Sequence, residues 1–287
     1  MNPSQRAMPT VDHPIRVRCW GARGSIPTPL PSHMGFGGNT SCLALRIPGV
    51  DPIVFDAGTG LRMLGDCLLE ECSGGVPPRL TLLLSHLHWD HIQGLPFFRP
   101  LYRAGTEIAI LVPAGETANR RAALAAQFQP PFFPVSWDRL PARIDFQEIP
   151  AAGLERQGVR YYCGPLNHPQ KAYAFRLEWG HKAFVHALDH EHGDEAVSAG
   201  LAALAAGADL LVGDSQYTPE EYQTRRGWGH STWPELVALA RRAGVRRLLV
   251  SHHDPDHDDA ALAVLEHEAQ AAFPACIFAR EGLELEL

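Results

Sequence analysis

His86-Leu87-His88-Trp89-Asp90-His91 is the stretch on which the reading of this chain turns. Three imidazoles and a carboxylate fall within six residues. They follow Leu82-Leu83-Leu84, an apolar run that reads as the end of a buried strand. Ligands released from a rigid strand end converge well on a metal ion, and neutral imidazole is the commonest protein ligand for zinc-like cations. The spacing His-x-His-x-Asp-His is dense enough to serve two cations. A close cation pair lowers the pKa of a shared water and clamps the oxygens of a displacement reaction. The stretch therefore predicts a metal-dependent hydrolase.

The rest of the composition sets bounds. With 287 residues, 45% of them hydrophobic, the chain can bury a sizeable core. It is read as one domain over 1–287, with 1–14 as a flexible tail. That tail has no apolar stretch of the kind a signal peptide carries, and no run is long enough for a membrane span. The six cysteines form no CxxC pair, which speaks for reduced thiols and a cytoplasmic location. The formal charge is −7 and no Lys/Arg block appears, so a nucleic-acid partner is disfavoured. Of the 15 histidines, His13, His33, His181, His192, His257 and His267 read as surplus surface residues.

Short apolar strands alternate with amphipathic helices along the whole length. Helices are expected from Leu61 and over 116–127, and another after Thr232, which with Glu235 spells a capping box. Strands without linkers or repeats predict an α/β (α+β) fold, a four-layer αββα sandwich of two sheets between two helical layers. In the second half several strands end in a candidate ligand. Residues 159–163 precede His168, 183–187 precede Asp189, 210–213 precede Asp214, and 248–251 precede His252 and His253. Each is ordinary alone: a histidine before proline is a common loop residue, and a turn aspartate is commonly a cap. The early cluster changes that reading because it demands partners. His252 and His253 point opposite ways in an extended segment, so only one of them can join the site, and the preceding strand favours His252. His230, in Gly229-His230-Ser231-Thr232, stands just before a helix, where anions are favoured. The segment Gln129-Pro130-Pro131-Phe132-Phe133-Pro134 is a packed loop, or a lid or subunit contact beside the site.

Together these residues resemble the metallo-β-lactamase-fold hydrolase superfamily, over nearly the whole chain. Gly229-His230-Ser231-Thr232 followed by Leu249-Val250-Ser251-His252 is most similar to its phosphodiesterase branch, which includes cyclic-phosphodiester hydrolases and tRNase Z. The resemblance implies that His86, His88 and His168 hold one cation and Asp90, His91 and His252 the other. Asp189 would bridge them, Asp56 would support the cluster, and His230, counted with Asp90 as catalytic, would protonate the leaving group. Two divalent ions are implied, zinc first, with manganese or iron as alternatives. His88 stands where the oxygen-reducing diiron branch has Glu. The expected reaction is hydrolysis of a small phosphodiester, a cyclic nucleotide first, by a metal-bridged hydroxide. The alternatives are a lactonase, thioesterase or arylsulfatase, a tRNA 3′-processing endonuclease, and an iron-dependent sulfur oxygenase. The absence of a Gly/Lys-rich arm points away from tRNA, and the family resemblance implies a homodimer. Trp89, Phe97, Phe98, Phe132, Phe133 and Tyr217 are candidate pocket walls.

Overall fold

The computed structural model describes residues 14–72 and 75–287; the tail expected over 1–14 lies, except for Pro14, outside them. Two seven-stranded sheets face each other. The first is built from β1 (Arg16–Gly21), β2 (Cys42–Arg46), β3 (Ile53–Phe55), β4 (Arg79–Leu83), β5 (Glu107–Pro113) and β6 (Arg143–Ile149). The last strand of the chain, β14 (Glu284–Glu286), closes its outer edge beside β1. The second comprises β7 (Leu154–Arg156), β8 (Val159–Leu166), β9 (Ala172–Trp179), β10 (Lys182–Ala187), β11 (Leu210–Asp214), β12 (Leu248–Ser251) and β13 (Cys276–Phe278), in chain order reversed.

Each sheet changes once from antiparallel to parallel pairing. β1, β2 and β3 are antiparallel, whereas β3 to β6 run parallel. Likewise β7 to β10 are antiparallel, and β10 to β13 parallel. Parallel strands deliver their carboxyl ends to one edge of a sheet, which is where open α/β sheets hold ligands.

Alternation along the strands builds the layers. Leu210, Val212 and Leu249 face inward with Phe55, Leu83, Phe175 and Phe184, forming the core between the sheets. Leu211, Leu248 and Val250 face the other way, onto helices α4 (Glu195–Leu204), α6 (Trp233–Arg242) and α7 (Asp259–Ala272). On the first sheet the outward side chains Val54, Leu80 and Leu82 meet α1 (Leu61–Glu71) and Leu124 of α3 (Thr117–Ala126). Two one-turn helices, α2 (Trp89–Ile92) and α5 (Pro219–Tyr222), lie in loops at the edge where the parallel strands end. The fold is the expected αββα sandwich.

Two local expectations change. The side chain of Thr232 does not cap α6, and its backbone bridges to Tyr217. The capping box forms instead at α5, between Thr218 and Glu221. His33 and His257, read as surface residues, are buried, and with Asp254 they surround the buried Arg23. That guanidinium donates to the carbonyls of Gly37 (2.8 Å) and His257 (2.6 Å), stitching the loop after β1 to the segment after β12.

Candidate metal centre

The side chains picked from the sequence meet at that common edge. His86, His88, His168 and Asp189 each offer a ligand atom, all within 4.8 Å of one another, and Asp90, His91 and His252 form a second such group. Asp189 faces both. Its Oδ2 lies 3.4 Å from His86 Nε2 and 3.7 Å from His168 Nε2. Its Oδ1 lies 3.2 Å from His91 Nε2 and 3.2 Å from His252 Nε2. One carboxylate thus turns one oxygen to each histidine group, the geometry a bridging ligand needs.

The donor set fits a pair of cations. His86 Nε2, His168 Nε2 and Asp189 Oδ1 are buried without a hydrogen-bond partner. Burying polar atoms unpaired is costly, and here the orphans face one space. Three of the rear nitrogens are meanwhile tied down. His91 Nδ1 sits 2.9 Å from Asp56 Oδ2, His86 Nδ1 3.1 Å from Ser85 Oγ, and His168 Nδ1 3.1 Å from the Gln170 carbonyl. Such partners fix the ring and leave the front nitrogen for a metal. For His88 the order is reversed: its Nε2 meets Gln170 Oε1 at 2.7 Å, leaving Nδ1 for a cation.

The backbone carries strain at the same place. Among the described residues five non-glycine positions have positive φ, and four of them are Ser25 (64°), Asp56 (59°), Asp189 (61°) and His252 (63°). Each such residue costs on the order of 1–3 kcal/mol and persists where the surroundings over-determine it. Ser25 donates its backbone N–H to Asp90 Oδ2 at 2.8 Å. Gly24 beside it is required, because a Cβ there would overlap the His252 ring.

Charge is balanced tightly. Burial alone raises the carboxyl pKa of Asp189, yet His252, His91 and His86 outweigh it and hold the group well below the usual range. Burial likewise opposes protonation of His252, but Asp189 and Asp90 carry it up to about 9. These attractions pair the buried carboxylates with the imidazoles, and a cation entering the site would displace protons from those imidazoles.

His230 joins the group from the second sheet. Its Nδ1 lies 2.7 Å from Asp214 Oδ2 and 3.9 Å from Asp189 Oδ2. The pairing with Asp214 has a sequence trace only in the apolar run 210–213 that ends in an acid. Ser25, Ser85, Gln170 and Glu191 carry no sequence signal at all, since their value lies in long-range contacts. His252 faces the site, whereas His253 turns away, its Nε2 2.8 Å from the Ala279 carbonyl between Phe36 and Phe278. Of the aromatic wall candidates, Phe98 and Tyr217 are buried. Trp89, Phe97, Phe132 and Phe133 line a mainly apolar cavity of about 620 Å³. The proline-rich segment thus forms one wall of a cleft beside the cluster.

A family model described as the beta-lactamase superfamily domain matches residues 52–253, and the chain belongs to that family. It is similar to the ribonuclease Z of Lacticaseibacillus casei, 28% identical over 281 residues, covering 82% of this chain and 86% of the relative. In structure it is similar to the metallo-β-lactamase fold protein YhfI of Bacillus subtilis, with a TM-score of 0.67 at 18% identity, covering 96% of this chain and 99% of the other. The short form of human tRNase Z matches with a TM-score of 0.65 at 18% identity, covering 94% and 98%. The protein is a metal-dependent hydrolase of the phosphodiesterase and RNase Z-like branch, with a two-cation centre.

One expectation is overturned. Relatives named as ribonucleases match over most of this chain, so the reading that disfavours a nucleic-acid partner does not stand. The formal charge of −7 misleads because it is a sum over the whole chain. A site that receives phosphate through bound cations supplies its positive charge locally. Among the described residues, no helix is long and apolar enough to cross a membrane.

Proposed function

We propose that the protein is a two-cation phosphodiesterase that cleaves RNA, as its ribonuclease Z relatives are named to do. The observation that carries the reaction is the Asp214–His230 pair, 2.7 Å apart and set against Asp189. A phosphodiester with an alkoxide leaving group needs a proton at the departing oxygen. Asp214 fixes the ring of His230 through Nδ1 and leaves Nε2 free to deliver it. The ligand set that the family resemblance implies is His86, His88 and His168 for one cation, Asp90, His91 and His252 for the other, with Asp189 shared. Zinc is the first choice for this mix of imidazole and carboxylate. When bound, the cations activate water and offset charge on the phosphoryl oxygens. Asp56 and Ser85 orient the imidazoles, and Ser25 orients Asp90.

RNA is favoured as the substrate by the loop that carries His230. Arg226 and Trp228 are exposed there, two to four residues from the proton donor. A cation and an aromatic face together suit phosphate and an unstacked base. The second reading, a small diester such as a cyclic nucleotide, is favoured by the absence of a long basic arm in the sequence.

Cleavage of a precursor tRNA, compared with hydrolysis of cyclic nucleotides, separates the two. On RNA, Trp228→Ala is expected to raise KM by roughly 5–100-fold, the loss of one stacked base, and to leave the KM for bis(p-nitrophenyl) phosphate unchanged. Cyclic-nucleotide turnover with no cleavage of any RNA would replace the first reading with the second. His230→Ala is expected to retain two metals and lose roughly 10²–10⁴-fold in kcat on a poor leaving group, with a smaller loss on an aryl one. Equal losses on both would remove the proton-donor role.

A further inference from the structure

We propose that Glu191 is a positioning residue for leaving-group protonation, its carboxylate fixing the loop that presents His230. The inference rests on the proton-donor reading of His230 above. Glu191 is buried, two residues beyond Asp189, and it accepts three hydrogen bonds from the segment before His230. Gly227 N–H donates to Oε1 at 2.7 Å, Tyr222 O–H to Oε1 at 2.9 Å, and Gly229 N–H to Oε2 at 2.9 Å. Its backbone is tied to the loop of His168: Glu191 N–H donates to the Asn167 carbonyl at 2.8 Å, and Asn167 Nδ2 donates to the Glu191 carbonyl at 2.9 Å. One residue therefore joins the three loops that carry His168, Asp189 and His230.

The loop needs such a clamp. Gly227 and Gly229 both have positive φ, 83° and 90°. Gly229 cannot be exchanged, because a Cβ there would overlap the His168 ring. Two glycines within three residues leave the backbone many alternatives, and displacement of His230 by about 1 Å can cost on the order of 10²-fold in rate. A buried carboxylate with three donors selects one conformation, because any other leaves a desolvated charge unpaired. The neighbouring His192 continues the seam, its Nδ1 2.9 Å from Ser231 Oγ and its ring 4.3 Å from that of Tyr222.

The test compares Glu191→Gln and Tyr222→Phe with His230→Ala on two diesters, one with an alkyl and one with a p-nitrophenyl leaving group. Glu191→Gln turns one acceptor into a donor that faces N–H groups. It is expected to keep two metals per chain and its KM within about 3-fold, and to lose roughly 10–100-fold in kcat on the alkyl substrate, a part of what a general acid contributes. The loss on the aryl substrate is expected to be under about 3-fold. Tyr222→Phe removes one donor of three and is expected to shift the same ratio less. If Glu191→Gln does not fold, Tyr222→Phe decides alone. Equal losses on both substrates, unchanged rates, or loss of metal would overturn the proposal. If His230→Ala itself lacks leaving-group dependence, the proton-donor reading fails first; if it has that dependence and neither Glu191→Gln nor Tyr222→Phe does, only the clamp fails.

Discussion

The two sheets furnish one site in opposite manners. The first supplies four candidate ligands in a single run of six residues, with Asp56 and Ser85 behind them. The second supplies them singly, His168 after β8, Asp189 after β10 and His252 after β12, with Asp214 at the end of β11 paired to His230. Local chain geometry can preorganise the first set. Only the packing of β8 to β12, and of the two sheets on each other, places the second. The lesson is that half of this centre is a motif and half is a consequence of topology.

Asp189→Ala attacks the point where the halves meet, and it carries the largest expected effect. Both histidine groups lose the carboxylate they face, so metal content is expected to fall and hydrolysis to cease. Metal quantification that still finds two ions per chain would break the bridging assignment. The motif half is tested from behind. Asp56→Asn leaves the cluster in place but weakens the tether on His91 Nδ1, and metal affinity is expected to fall roughly 10–100-fold. Competition with a chelator reads this directly, and an unchanged affinity would mean that the run 86–91 preorganises itself without its partner.

A smaller effect concerns stability. Burial carries His186, stacked 4.9 Å from Phe55, down to about 4 against an ordinary 6.5. Burial likewise carries His253 down to about 3. Each is neutral when folded but takes up a proton more readily when unfolded. Their contribution is therefore complete above pH 6.5 and is lost as pH falls from there, towards 4 for His186 and towards 3 for His253. For His186 this amounts to about 3 kcal/mol. Denaturant melts of chelator-treated protein are expected to show stability falling across that window, and His186→Leu is expected to flatten the slope. A variant with the same slope would show that the window belongs to other groups.

The legibility of the site followed the same division. The run 86–91 was readable because spacing alone makes it dense. His168, Asp189 and His252 were readable only as partners that the run demanded. Asp214 appeared as an acid at a strand end without a role, because its value comes from His230, 16 residues away, at 2.7 Å. Ser25 and Glu191 act through contacts that no local pattern encodes: one offers a backbone N–H in a strained turn, the other a carboxylate to two glycines. The Thr232–Glu235 pattern formed no cap, although Thr232 does precede α6 as the N-cap residue. The expectation about nucleic acid failed because net charge averages away where charge sits.

Sequence by itself determined the layers and the chemistry of the centre. Alternating apolar residues can satisfy their burial only as strands between helices, and three imidazoles with a carboxylate in six residues have little other use. Only the folded molecule shows which oxygen of Asp189 meets which histidines, and how His230 is aimed. Those choices depend on distances between segments remote along the chain. Such distances are set by the register of the sheets and by their packing, which no local stretch of residues contains.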